Sequence, residues 1–491
     1  MRDCFCSAFC LISYFKQYKM KSKSFLIISL AVFFTVARVH AQLRLPSVIA
    51  SNMVLQQNDS VWLWGWAGPG EKVFVNTSWS SQRDSAITSN GAKWKLKVKT
   101  PAAGGPYTVT FTTHGTPLVL QNVMIGEVWV CSGQSNMEWS YNNGEKDVRS
   151  EMPVAANNNI HFFQIPKTTA DAPQDNISAQ WTTCDSNTIK GFSAVAYFFG
   201  KKLQQQLGVP VGLINTSWGG TPAEVWTPEE KINGDEVLKT AAAKLKPAAW
   251  WPNLPGLTYN AMIAPVTFYN IAGAIWYQGE SNSGTNDTYS KLMATMIDSW
   301  REAWKKELPF YYVQIAPYKY GNNNVGAMLQ EAQTKTMSHP HVGMVVVTDL
   351  IDSVTNIHPS HKREVGNRLA NWALGDAYHR QGVNYKNPAY AGAEVKGATI
   401  VVSISNAPMG FQVKPGGFSG FYISGATENW LPAEAKIVKG KIVVWNKQVK
   451  QPVYVRYGFG NTLIGNVLSA EGLPLIPFRT DQWPVDQSPL Q

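Results

Sequence analysis

Gly133-Gln134-Ser135-Asn136-Met137 follows directly on the apolar run Val128-Trp129-Val130-Cys131 and puts a serine at a glycine-flanked strand-to-helix junction. A hydroxyl held there can act as a nucleophile. The strand fixes the backbone, the small residues permit a tight turn, and the N–H groups of the following helix point at any oxyanion that forms beside Ser135. Taken alone the segment would be a polar turn whose Ser or Asn caps a helix.

Three further junctions change that reading. In open α/β sheets ligands bind outside the carboxyl ends of the strands, so residues just after each apolar run are the ones to inspect. Asn215-Thr216-Ser217-Trp218-Gly219-Gly220-Thr221-Pro222 follows Val211–Ile214, and its paired glycines let a backbone N–H approach a ligand closely. Trp276-Tyr277-Gln278-Gly279-Glu280-Ser281-Asn282 follows Ile271–Ile275. It offers amides to an oxyanion, Gln278 ahead of Asn282, and a carboxylate, Glu280, that either orients a histidine or holds the loop. Asp349 to Pro359 follows Gly343–Val347 and contains His358, a general base for Ser135 with carboxylates nearby to orient its ring.

The elements that must position these residues are legible from periodicity. From Gln42 to about Asn122 short strands alternate with turns, and in Lys93–Lys99 strict alternation puts Trp94, Leu96 and Val98 on a buried face and the lysines in water. Between about Val123 and Tyr385, apolar strands alternate with helices, as in a mostly parallel sheet covered on both faces. The expected strands are Glu127–Cys131, Val211–Asn215, Ile271–Trp276, Phe310–Ile315 and Gly343–Thr348. The expected helices are Thr288–Trp304, whose Met and Trp residues are core packing, and His361–Leu374, capped by Ser360. After about Gly382 the β pattern returns in Thr399–Ser403, Lys441–Trp445 and Val453–Tyr457. The organisation is thus a leader and signal peptide over 1–41, a β domain over 42–122, an α/β domain over 123–385 and a β region over 386–491.

The 491 residues are 44% hydrophobic and 15% charged, a globular composition too long for one ordinary core. The 19 Trp suit sugar stacking, although most belong to cores or strand faces. Met20 to Ala41 reads as a secretory signal with Lys21 and Lys23, an apolar stretch and Val39-His40-Ala41 before cleavage, so export to a periplasm or the exterior is expected, with translation starting at Met20. No second long apolar span offers a membrane anchor. Of the net +10, six of the basic residues and one acid lie in 1–41, leaving +5 on the remainder and no basic cluster that would mark a nucleic-acid partner. Cys131 and Cys184 remain after processing, either paired or as buried thiols. His339-Pro340-His341 and His358 with His361 lack the carboxylate and spacing of a catalytic zinc site, so neither a metal nor another cofactor is expected.

At these residues the chain resembles the SGNH hydrolase superfamily and, within it, the sialate O-acetylesterase family of carbohydrate esterases. The motifs are Gly133 to Met137, Ser217 to Trp226, Trp276 to Asn282 and Ile357-His358-Pro359. Glu331-Ala332-Gln333 and Glu471-Gly472-Leu473-Pro474 through Phe478-Arg479-Thr480-Asp481 belong to the same set. The resemblance implies an α/β fold with a flavodoxin-like three-layer core, accessory all-β regions at both ends, and removal of acetyl groups from sugar hydroxyls without a metal. It implies Ser135 as nucleophile, His358 as base, and an oxyanion hole of the Ser135 and Gly220 N–H groups with the Gln278 amide. The superfamily often has Asp three residues before the histidine, where this chain has Thr355. Asp352 is the first candidate to orient the ring, then Asp349, Glu280 or a backbone carbonyl near Asn356. The expected substrate is an O-acetylated sialic acid, with acetylxylan or another acetylated glycan, or a non-catalytic carbohydrate-binding role, as alternatives.

Overall fold

The computed structural model describes residues 42–321 and 324–485; the leader and signal segment expected over 1–41 lies outside them. From Leu43 onward the chain forms one compact unit. Nine strands and five helices frame the site and its amino-terminal neighbour. The strands are β1 (Ser60–Trp66), β2 (Lys93–Lys99), β3 (Leu118–Gly133), β4 (Asn157–Gln164), β5 (Trp181–Cys184), β6 (Val211–Ser217), β7 (Gly273–Tyr277), β8 (Phe310–Val313) and β9 (Val342–Val345). The helices are α1 (Ser135–Glu138), α2 (Ala194–Leu207), α3 (Tyr289–Trp304), α4 (Val325–Thr336) and α5 (Lys362–Trp372).

The central sheet runs β9-β8-β7-β3-β6-β4-β5, parallel except at the β4–β5 edge. Consecutive residues of β3 point to opposite faces, and each face has its own core. Val128 and Val130 pack with Met293 and Ile297 of α3 and Leu329 of α4. Trp129 and Cys131 pack with Phe199 of α2 and Val365 and Leu369 of α5. Helices therefore cover both faces of a sheet whose strands are buried throughout. Chain order reverses at β3, with β6 on one side and β7 on the other, which opens a crevice at their carboxyl ends.

α3 forms because Leu292, Met293, Met296, Ile297 and Trp300 recur at three- and four-residue spacing and reach the core, and it stops where Lys305 turns left-handed at φ 53°. At the amino end, β1 and β2 pair antiparallel, and Trp94, Leu96 and Val98 alternate inward as the pattern requires. The expected boundary at 122 falls inside β3. The first half of that 16-residue strand pairs with Gly104–Thr112 of the N-terminal β region, and the second half runs into the core. Beyond Ala389 the chain builds small antiparallel sheets that include Thr399–Ser405, Lys441–Trp445 and Tyr454–Tyr457. Cys131 and Cys184 do not pair; burial raises both thiols, that of Cys184 to about 12.

Candidate active site

Ser135 sits where β3 gives way to α1. Gly133 turns the chain at φ 138°, and a Cβ there would lie 2.2 Å from the Tyr277 carbonyl oxygen, so only glycine lets β3 and β7 close together behind the serine. The Gln134 side chain then spans to the β7 junction, its Oε1 accepting from the Gly279 and Ser281 N–H groups at 3.3 and 3.4 Å.

The β6 junction brings Gly219 and Gly220 to the same point. A Cβ on Gly219 would stand 3.3 Å from the Ser135 Cβ; Gly220 adopts φ 82°, where a Cβ would enter the Trp251 ring. The Gly219 N–H donates to a Glu138 carboxylate oxygen, and Glu138 also pairs with Lys167 at 2.5 Å. Neither the Ser135 nor the Gly220 N–H has a protein acceptor among the described residues, so both remain available to an oxyanion.

Gln278 does not join them. The residue is fully buried, its Nε2 donates to the Thr221 carbonyl at 3.2 Å and to Asn282 Oδ1 at 2.8 Å, and its Oε1 accepts from the Tyr289 hydroxyl at 2.8 Å. Both amide hydrogens are spent inside the protein, so the expectation of an oxyanion donor is corrected to a brace beneath the glycine turn. Asn282 is committed as well, to Glu224, Thr285 and the Ala223 N–H, and Ser281 Oγ donates to the Gly220 carbonyl at 2.8 Å.

His358 arrives from the loop after β9. Its Nε2 lies 2.8 Å from Ser135 Oγ, the contact a general base needs. The ring stacks on Trp139 with centroids 3.7 Å apart at 24°, and the Asn356 side chain clamps the His358 backbone at both N–H and carbonyl. Among the described residues, no carboxylate meets the ring. Asp352 accepts from the N–H and Oγ of Ser360, at 2.9 and 3.0 Å, so the expected orienting acid is occupied elsewhere and Ser360 does not cap α5. Asp349 forms a two-pronged pair with Arg368 at 2.8 and 2.6 Å, and Glu280 accepts from Asn136 at 2.7 Å. Burial, reinforced by the nearby Lys362 charge, lowers the His358 imidazole to about 4, below the ordinary histidine range of about 6 to 7.

Beneath the pair lies a buried polar chain. Asn136 donates to Glu280 and to the Ile357 carbonyl beside His358, and accepts from Lys362 Nζ at 2.6 Å. Lys362 lies 3.7 Å from Glu145 and sits over the Tyr277 ring. Burial drives the Lys362 ammonium down and the Glu280 carboxyl up, and raises Glu145 to about 7. Asn136 thus ties the serine helix to the histidine loop. Asn136 stands in the serine motif and Lys362 four residues after His358, so position was the available signal for both; sequence reasoning passed over them, and over Trp139 and Glu138, because side-chain direction is not visible in spacing.

The two remaining motif segments meet. Arg479 forms a two-pronged pair with Glu331 of α4 at 2.8 and 3.0 Å, and Asp481 pairs with Arg456 at 2.8 Å. Two residues along α4, Gln333 donates to the Gln278 carbonyl and accepts from the Ile315 N–H. His339 bonds Asp298. Among the described residues, no three His, Cys, Asp or Glu side chains are grouped to hold a metal ion.

The chain is similar to known proteins along most of its length. Residues 125–375 match the family described as carbohydrate esterase, sialic acid-specific acetylesterase. Sialate O-acetylesterase of Homo sapiens is 28% identical over 382 residues, covering 70% of this chain and 73% of that protein. The Mus musculus enzyme is 25% identical over 483 residues, covering 85% and 89%. The crystal structure of XAC1771, a carbohydrate acetylesterase from Xanthomonas citri, superposes with a TM-score of 0.83 at 33% identity and covers 90% of this chain and all of that one. With a matching family model over its α/β core and a solved relative along nearly its whole length, the chain belongs to the sialic acid-specific acetylesterase family of carbohydrate esterases and is a carboxylic ester hydrolase.

Proposed function

We propose that this protein is a serine-dependent, metal-independent carbohydrate O-acetylesterase with an SGNH-type core over 123–385, exported by its leader and acting on O-acetylated sialic acids. The observation that carries this reading is the 2.8 Å contact between His358 Nε2 and Ser135 Oγ at the reversal of strand order. Ser135 Oγ attacks the acetyl carbonyl as His358 Nε2 takes its proton. The Ser135 and Gly220 N–H groups hold the tetrahedral oxyanion. His358 then protonates the departing sugar hydroxyl, and a water that it activates releases acetate from Ser135. Trp139 and the stacked imidazole, rather than a carboxylate, keep Nε2 aimed at the serine.

Support for a sugar ester comes from the aromatic rim. Trp251 packs over the Gly220 turn, Trp218 Nε1 bonds the Trp250 carbonyl, and Trp250 itself is 80% exposed, a flat face open to a pyranose ring. Lys167, placed beside the serine helix by Glu138, offers a cation to a substrate carboxylate. Acetate release from O-acetylated sialic acids and from acetylated xylo-oligosaccharides, each before and after exhaustive chelation, tests the reading. Faster turnover of the sialic acids, unchanged by chelation, is expected. Preference for the neutral oligosaccharides would move the substrate to acetylxylan, and zinc-restorable loss on chelation would overturn the metal-free mechanism.

A further inference from the structure

The β1–β2 ribbon has an outward face that the catalytic reading does not use. Register places Trp62 opposite Lys97, Trp64 opposite Lys95 and Trp66 opposite Lys93, while Val61, Leu63, Trp94, Leu96 and Val98 fill the core side. Exposed strand faces ordinarily carry polar residues in both strands, so two partly exposed indoles, Trp62 and Trp66, flanking the buried Trp64 beside a column of lysines depart from the pattern. Phe268, 47% exposed, packs on Trp64 at 5.8 Å and extends the aromatic surface. The Lys95 ammonium rests over both Trp62 and Phe268, and that of Lys97 over Trp62.

Two troughs of about 530 and 480 Å³ share Trp62, Lys95 and Phe268. The first continues past Asn58 and Asn270 to Lys305; the second continues past Trp66 to Gln174. Among the described residues, Lys95, Lys97 and Lys305 meet no carboxylate. The two acids that line the troughs are already engaged, Asp59 with Asn270 and the Ser60 N–H and Asp175 with Lys93. The free charge of the surface is therefore positive. Phe268 and Asn270 precede β7, whereas the catalytic junction follows it, so this face lies at the opposite end of the parallel sheet from Ser135.

We propose that this face binds an acidic polysaccharide, a carboxylate-bearing glycan chain, separately from the ester held in the catalytic crevice. Indole faces stack on the apolar faces of sugar rings, free ammoniums meet the carboxylates, and the asparagine and glutamine amides meet hydroxyls. Two confluent troughs suit a chain of several sugars. A single-stranded nucleic acid also stacks on aromatics among lysines, but the chain lacks the dense basic cluster that closely spaced phosphates require, and displacement by an oligonucleotide is an outcome of the test.

Affinity electrophoresis of the whole protein through gels containing polygalacturonate, unsubstituted xylan or no polymer, with oligothymidylate as competitor, tests the proposal. Polygalacturonate should retard the wild type strongly and xylan weakly, with salt abolishing the retardation. Trp62→Ala and, separately, Lys95→Gln with Lys97→Gln should each weaken retardation by about tenfold or more, as loss of a central aromatic or charge anchor does. Because none of these residues approaches Ser135, kcat/KM for an aryl acetate should remain at the wild-type value. The exposed lysines guard against a folding artefact in the tryptophan variant. No retardation of the wild type, equal retardation by xylan, displacement by oligothymidylate at matched charge, or undiminished binding by both variants would each overturn it.

Discussion

The serine side and the histidine side of this site are built in different ways. Around Ser135 and Gly220, long-range buried hydrogen bonds do the positioning: Gln278 to Thr221, Ser281 to Gly220, Gln333 to Gln278 and Asn136 to Glu280, nearly all between separate elements. The loop carrying His358 is partly exposed and held mostly by local bonds, Asn356 to His358 and Asp352 to Ser360, with two long-range bonds to its backbone, from Asn136 and Lys319, and one stacked tryptophan. Breaking the first kind leaves buried polar groups unpaired and costs stability with activity, whereas breaking the second returns its groups to water. The glycine-turn side is thus coupled to folding more tightly than the histidine loop.

Substitutions along this divide should sort accordingly. Ser135→Ala removes only the nucleophile, so turnover of an aryl acetate should fall by at least about a thousandfold at unchanged melting temperature; a folded variant that keeps near-normal turnover would break the assignment. Gln278→Leu should cost about 3 kcal/mol of stability, because Thr221, Asn282 and Tyr289 each lose a buried partner, with turnover falling about tenfold as the glycine turn relaxes. A loss of about a hundredfold or more in turnover with no change in denaturation midpoint would instead mark it as an oxyanion donor.

The pH dependence sharpens the histidine side. In the proposed mechanism neutral imidazole is the active form, and a ring held down to about 4 should place the acid limb of kcat/KM near pH 4, with a plateau through neutrality. Lys362→Met removes a positive charge that disfavours imidazolium, so the limb should move to higher pH. A limb that stays in place would separate Lys362 from the base. Asp352→Asn should be the mildest change, within about threefold of wild-type turnover, since the carboxylate holds Ser360 and not the ring. A loss approaching ten-thousandfold would restore it as the orienting acid.

Sequence carried the frame of the site further than its wiring. Lys93–Lys99 and Lys441–Trp445 are strands at the expected residues, and α3 begins one residue from its expected start. These segments have clean periods of two or 3.6, which local chemistry enforces. β4 was missed because Asn157-Asn158-Asn159 opens it and hides the apolar Ile160, Phe162 and Phe163 that pack in the sheet. The convergence of Ser135, Gly220 and His358 was legible because each follows a strand end. The roles of Asp352 and Gln278 were not, since which neighbour a carboxylate or amide reaches depends on loop closure between residues far apart in the chain. Asp352 turns to Ser360, eight residues on, and Gln278 is consumed by partners that include Thr221, fifty-seven residues back.

The Arg479–Glu331 pair joins parts of the chain 148 residues apart. It fastens α4, whose Gln333 supports Gln278 and, through it, the turn that carries Gly220. The C-terminal β region is therefore a bolt on the helix behind that turn, and loosening a pair remote from the crevice would be felt at the glycines that line it.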